Sequence, residues 1–349
     1  MKKIILIKIA YSVVFIMASI PSIYAQDTIP KTIFAGSADL YYKYDFANAD
    51  NGKTSFTNSH DSFELGMASI EASHKFGKAA VFADLGFGNR AAQFSYNDGN
   101  TTFFIKQLNV TYEFTPKFKI IAGSFATHIG YELVDAVDNK NYSMSYAFSY
   151  GPFFNTGVKA QYTVGKMSYM IGITNATDFK TAAEAGSKQK TFIGQIAYAG
   201  AKTSLYFNLS SGSSNPSSSL NKTQFDFVAT NKVNTKLTLG FNGTYSLVSD
   251  DFDSSIDGEW FAAVGYLNYA FQKKWSLAYR LEYFDDKDGV VAFAGGANVI
   301  GNTLSLNFKE GNFTFIPEIR VDSASEDIFT SGTPTGLNSY VLVATTYTF

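Results

Sequence analysis

The chain has no cysteine in 349 residues, only three histidines and two tryptophans, and charged residues make up just 17%. Without cysteine there is no disulfide scaffold, no thiolate metal site and no thiol nucleophile. The scarce charge is also balanced, with 28 Lys+Arg against 30 Asp+Glu and no basic block, so nucleic acid is excluded as a partner. Long apolar runs are missing too. Beyond Ala25 no stretch approaches the ~18 consecutive apolar residues of a membrane-crossing helix. What the chain has instead is 22 Tyr and 33 Phe, which exclude disorder.

The first residues read as an address. Met1-Lys2-Lys3 is a positive opening, Ile9 to Ile20 is largely apolar, and Ile23-Tyr24-Ala25 ends in the small residue a signal peptidase needs. We read residues 1–25 as a cleaved Sec signal and 26–349 as the mature protein. Removing Lys2, Lys3 and Lys8 leaves 25 bases against 30 acids. An exported chain with no spanning helix is either soluble or a closed β-barrel, the other structure that satisfies its backbone in lipid.

Periodicity separates the two. In 236–247, Leu237, Leu239, Phe241, Tyr245 and Leu247 share one face, and Lys236, Thr238, Asn242, Thr244 and Ser246 the other. Such a period of two is that of a half-apolar strand long enough to cross a bilayer at a tilt. Residues 274–283 and 312–322 repeat the pattern. The phase breaks in 63–76 and 117–128, which predicts bulges or plugged positions there.

Sixteen such segments are expected: 34–46, 63–76, 79–88, 103–114, 117–129, 155–164, 166–174, 189–199, 201–211, 222–230, 235–247, 259–271, 273–284, 299–308, 312–321 and 339–349. Long and short connections alternate strictly between them. An even strand count, short periplasmic turns and long external loops predict an all-β, transmembrane antiparallel β-barrel of outer-membrane type. Trp260, Trp275, Phe271, Tyr283 and Phe114 fall at strand ends, as an interfacial aromatic girdle requires. The last strand alternates through Val341, Val343, Thr345 and Tyr347 to Phe349. Tyr347 and Phe349 resemble the C-terminal signal of bacterial outer-membrane barrels, which implies recognition by the barrel assembly machinery of a Gram-negative bacterium.

Between Gly123 and Tyr162 stand Gly130-Tyr131-Glu132, Asn141-Tyr142-Ser143, Pro152-Phe153 and Thr156-Gly157. This segment resembles the beta-barrel porin family of the outer-membrane porin-L-like type, where a strand ending in Gly-Tyr-Glu leads to Asn-Tyr-Ser. In that family Pro-Phe and Thr-Gly then open the next strand. Met144 replaces an expected basic residue and Asn155 an expected His, so the family's ion preference does not carry over. The resemblance implies passive diffusion of small hydrophilic solutes.

On the polar faces we place seven acids (Asp39, Asp45, Asp84, Glu113, Asp226, Glu282 and Glu318) and five bases (Lys43, Arg90, Lys159, Arg280 and Arg320) as pore-lining. Their sum and the loop residues Glu132, Asp135, Asp138 and Lys140 predict a weak cation preference. Mutual pairing of Arg280 with Glu282 and of Glu318 with Arg320 is the competing expectation. The connection 130–154, the longest, carries Tyr131, Tyr142, Tyr146, Phe148 and Tyr150, too aromatic for a freely solvated loop. We expect it to fold inward as a constriction formed by Tyr131, Glu132, Asp135, Asp138, Lys140 and Tyr142.

His60-Asp61, Asp250-Asp251 and Asp285-Asp286 fall in external loops, where such residues serve solubility more often than catalysis, and no His/Glu pair at ligand spacing supports zinc. The reading is therefore a non-enzymatic porin that needs no cofactor. Its partners are outer-membrane lipid, the assembly machinery and small solutes; a homo-oligomer is allowed but not required. The alternative is a non-conducting surface barrel acting as an adhesin.

Overall fold

A computed structural model describes residues 31–98, 104–181, 189–213, 219–251 and 253–349, so the expected signal 1–25 lies outside the described residues. Its strands are β1 (Thr32–Asp45), β2 (Ser62–Phe76), β3 (Ala79–Phe87), β4 (Ile105–Thr115), β5 (Phe118–Ala126) and β6 (Phe154–Val164). There follow β7 (Met167–Thr174), β8 (Thr191–Ala199), β9 (Thr203–Ser213), β10 (Leu220–Lys232), β11 (Leu237–Asp250) and β12 (Gly258–Ala270). The last are β13 (Trp275–Asp286), β14 (Ala297–Glu310), β15 (Phe313–Ala324), a small hairpin β16 (Phe329–Ser331) and β17 (Thr333–Thr335), and β18 (Leu337–Thr348). β1 to β15 pair in sequence order, and β18 closes the ring between β15 and β1. All sixteen segments read from the sequence are strands of this closed antiparallel barrel.

The alternation sorts the faces. On β11, Leu239, Phe241, Tyr245 and Leu247 are exposed outward, while Asn242, Thr244, Ser246 and Val248 are buried inside. Closure leaves no ladder edge, the condition for strands in hydrocarbon. Gly77, Gly165 and Gly311 hold φ near 60° in the short turns, a conformation glycine adopts without steric cost. The long connections 214–219 and 251–257 are shorter than expected because β10 and β11 extend further toward that end.

The predicted break in 63–76 is a bulge: register passes from Asp39↔Met67 to Leu40↔Leu65, leaving Gly66 unpaired. The break around 117–128 has a different origin. In the β4–β5 ladder the extra residue is Phe114 on the partner strand, and a separate bulge in the β3–β4 ladder turns Lys106 inward onto Asp84 at 3.0 Å.

At the seam, Gly36 N–H donates to the Phe349 carbonyl (3.1 Å) and Phe349 N–H to the Gly36 carbonyl (3.0 Å). A Cβ on Gly36 would lie 2.3 Å from Phe349 Cζ, so only glycine lets the ring lie against the strand. Deleting Phe349 removes both bonds and this contact. We expect a lower yield of folded, heat-modifiable barrel on gels; an unchanged yield would count against the seam's importance.

Trp260 corrects the girdle. Its side chain is fully buried and faces inward, packed with Tyr146, Phe284 and Phe293, because the connections 127–153 and 287–296 supply apolar partners inside the barrel. Phe271 and Phe114 are exposed at strand ends, and Trp275 meets Phe308 with tilted rings at 4.8 Å.

Candidate functional site

The connection from β5 to β6, residues 127–153, crosses the interior and is held by inward-facing side chains on several strands. His128 Nε2 contacts the Leu209 carbonyl (2.9 Å), and burial pushes this imidazole down to about 4, so it is neutral. Gly130 N–H donates to Asp226, which also takes amide protons from Asn208 and Asn242. Tyr131 stacks on Tyr266 at 4.1 Å. Asp135 then meets Lys106 (2.7 Å) and the Ser69 hydroxyl (2.9 Å) on the β2–β4 wall.

Residues 142–147 are clamped through their backbone. Glu318 accepts from Tyr142 N–H (2.7 Å) and Ser143 N–H (3.2 Å). Glu282 accepts from Tyr146 N–H (2.9 Å) and Ala147 N–H (2.8 Å). Arg280 donates to the Ser143 carbonyl and to Glu132, both at 2.6 Å, and Arg320 donates to the Met144 carbonyl (2.6 Å) and Asp322 (2.8 Å). The competing expectation, that Arg280–Glu282 and Glu318–Arg320 pair with each other, is therefore replaced. Their strand spacing puts both members of each pair on one face, but the loop backbone takes their bonds.

The other expected residues sort as follows. Asp39 accepts from Tyr142 Oη (2.5 Å) and faces Arg90 at 3.8 Å. Arg90 lies in a short helix, Asn89–Phe94, rather than on a strand, and sits between the Phe56 and Tyr142 rings. Lys43 donates to the Thr57 carbonyl (3.0 Å), and Asp45 accepts from Ala47 N–H (3.0 Å). Lys159 lies over the Phe125 ring at 3.9 Å. Glu113 pairs with Lys75 (2.7 Å), half exposed at the short-turn rim. Asp138 and Lys140 line an interior cavity with Glu71.

Lys106, Glu71, Asp178, Lys222, Asp286 and Asp322 were not among the expected site residues. Asp322 continues the 318, 320 phase and was legible there; Lys106 sits at a bulge, where the period fails.

Among the described residues, two cavities lie along the inner wall of β8–β10. One, of about 410 Å³, is bounded by Thr191, Ser210, Lys222 and Gln224 toward the long loops. The other, of about 610 Å³, is bounded by Gln195, Tyr206, Asn208 and Thr230 toward the short turns. Phe153 borders both.

The model of one protein family, described as putative beta-barrel porin-2, OmpL-like, matches residues 31–349. The chain belongs to that family. No curated protein matches it in sequence. Among solved structures, this porin-family barrel resembles the anion-selective porin from Comamonas acidovorans at TM-score 0.64 and 11% identity, over 92% of this chain and 100% of that one. It also resembles Salmonella typhi OmpF in complex with daunomycin (TM-score 0.61, 11% identity, 92% and 98% covered). A third is the outer membrane channel DcaP of Acinetobacter baumannii (TM-score 0.60, 12% identity, 93% and 99% covered). At these identities the likeness is one of fold.

Proposed function

We propose that the chain is an outer-membrane porin through which small hydrophilic solutes and ions diffuse passively. The observation that carries this reading is the pair of cavities along β8–β10, bordered by charged and neutral polar side chains as well as rings, beside the inward connection. Apolar outward residues meet lipid, and the polar inner face would cost several kcal/mol per charge in hydrocarbon. Sixteen described barrel strands support the reading, because barrels of this size can leave an aqueous lumen. Export by the 1–25 signal, a Gram-negative outer membrane, and assembly through the strand carrying Tyr347 and Phe349 complete the proposal. The inward connection 130–154, with Tyr131, Glu132, Asp135, Asp138, Lys140 and Tyr142, is its constriction. The histidines are engaged in structural contacts: His60 with Asp45 N–H and Asn48, His74 with Thr32, and His128 with Leu209.

Purified protein in planar bilayers is expected to give discrete, stable current steps. No current at any voltage would overturn the porin reading in favour of a surface-binding barrel. The protein should also resist carbonate and salt extraction from membranes and shift on gels only after boiling; extraction by either would place it outside the bilayer.

A weak cation preference follows. The cavity on the short-turn side is bordered by five acids, Glu71, Asp84, Glu132, Asp135 and Asp138, and one base, Lys140. Lys106 and Arg280 bond to this set, so three bases leave a net of −2. Charges lining a pore bias its ion content without blocking the minority ion. Burial first, and then the charge of Asp135, raises the Asp138 carboxyl above its ordinary range. Asp138 thus loses its charge at a higher pH than a free Asp, and the preference should fade as pH falls into the acid range. Reversal potentials in a salt gradient measure both; an anion preference at neutral pH would defeat the assignment.

A further inference from the structure

The cavity on the long-loop side differs from its neighbour in charge, with one acid, Asp178, and one base, Lys222, on its border, and in what its polar groups are doing. Lys222, projecting from β10, is its basic residue. Among the described residues its amine has neither a hydrogen bond nor an ion pair. The nearest anions that act on it are Asp178 and Asp286, and both are already committed. Asp178 accepts from Phe153 N–H (2.7 Å), Phe154 N–H (2.9 Å) and Tyr96 Oη (3.0 Å). Burial pushes its carboxyl up to about 6 even against those donors. Asp286 gathers the N–H groups of Val290, Val291, Ala292 and Phe293 between 2.7 and 3.3 Å. Neither carboxylate has turned to the amine.

The neutral groups around Lys222 are half-used. Gln224 donates its amide proton to Thr244 (2.8 Å), which leaves its carbonyl oxygen; the Gln93 oxygen accepts from Phe56 N–H (2.7 Å), which leaves its amide nitrogen. The Ser210 hydroxyl makes no hydrogen bond among the described residues, and the Tyr150 and Phe153 rings form apolar wall. One uncommitted cation, mixed neutral donors and acceptors, and ring faces in about 410 Å³ make a pocket of small-molecule size.

We infer that this cavity is a solute-binding station on the long-loop side of the constriction, selective for small hydroxylated monocarboxylates whose carboxylate is taken by Lys222. A carboxylate supplies the partner the amine lacks, with a charge-assisted hydrogen bond. Hydroxyl groups, which both donate and accept, match the remaining Gln224, Gln93 and Ser210 functions. A dianion would leave one charge facing no base, and a neutral sugar would leave the amine desolvated and unpaired. This inference rests on the porin reading and adds a solute class to it.

The test uses the full barrel in planar bilayers and in liposomes, with gluconate as the probe and glucose as its neutral counterpart of similar size. Gluconate should block single-channel current in a saturable, concentration-dependent way, and its uptake should saturate, while glucose uptake stays linear. Lys222→Gln should weaken the gluconate half-saturation about tenfold or more, the loss expected for one charged hydrogen bond. Lys222→Arg keeps the charge and should retain saturation; both variants are first checked for heat-modifiable mobility. Linear gluconate uptake in the unaltered protein with normal current steps would overturn this inference and leave the porin reading standing. Saturation that survives Lys222→Gln would overturn the assignment to Lys222. Absence of any current would overturn the porin reading itself.

Discussion

Replacing residues 134–147 by a short Gly-Ser link is expected to raise single-channel conductance several-fold while leaving the barrel intact. The ladder that holds the sixteen strands does not pass through this segment: β5 and β6 pair directly from Phe118↔Tyr162 to Ala126↔Phe154. What the deletion removes lies inside. Tyr142, Met144 and Tyr146 are fully buried against the inner wall, and Asp135 reaches Lys106 and Ser69 on the β2–β4 wall, further round the same ring. The segment thus carries bulk from the β13–β15 side to the β2–β4 side and borders the short-turn cavity. Removing it enlarges that cavity and uncovers Arg280, Glu282, Glu318 and Arg320, which gain water in place of backbone partners. Their desolvation cost falls as the lumen floods, so the strands should tolerate the loss. Unchanged conductance in a heat-modifiable barrel would show that the current path runs elsewhere.

The variant also separates pore size from charge. Asp135, Asp138 and Lys140 leave with the segment, while Glu71 and Asp84 remain with Lys106. Larger steps with a reduced cation preference are the combined expectation. A preference that persists at full strength would assign selectivity to the wall rather than to the loop.

The barrel was legible because its determinants are local. Period-two alternation, as in 236–247, and glycines at turn positions such as Gly77 and Gly311 act within a few residues, and all sixteen barrel strands follow from them; the small hairpin β16–β17 does not. The interior was legible only as a list of inward side chains. Nothing in the alternation of β13 says that Glu282 will accept from Tyr146 and Ala147 rather than from Arg280, since that partner arrives from 135 residues away. Trp260 was misread for the same reason: its strand-end position suits a girdle, and only the returning loops make an apolar interior for it. Lys106 escaped because a bulge, not the period, decides its direction. The inward turn of Phe56 in the first long connection, where it meets Phe148 and Phe153, had no signal in that connection's own polar composition.

Arg280→Ala should unseat the constriction without unfolding the barrel, and it isolates the clamp from the bulk it holds. Arg280 is fully buried, bridges Glu132 and the Ser143 carbonyl, and also contacts Thr303 at 3.1 Å. Its removal leaves the buried Glu132 carboxylate with the Ser145 backbone and hydroxyl donors alone. Breaking one partner of a buried ion pair costs about 3–5 kcal/mol, chiefly through the charge left behind. That cost falls on loop docking, because Arg280's backbone stays in register between Tyr266 and Thr303. Expected readouts are rapid flicker between conductance levels and faster protease cleavage within 132–147, with gel heat-modifiability retained. Replacing Glu132 by Gln in the same chain removes the orphaned charge and should restore much of the quiet current. If Arg280→Ala gives steady steps and unaltered cleavage, the clamp is not what holds the loop. The weight would then shift to Glu282 and Glu318, whose paired backbone acceptors grip the same six residues from the neighbouring positions.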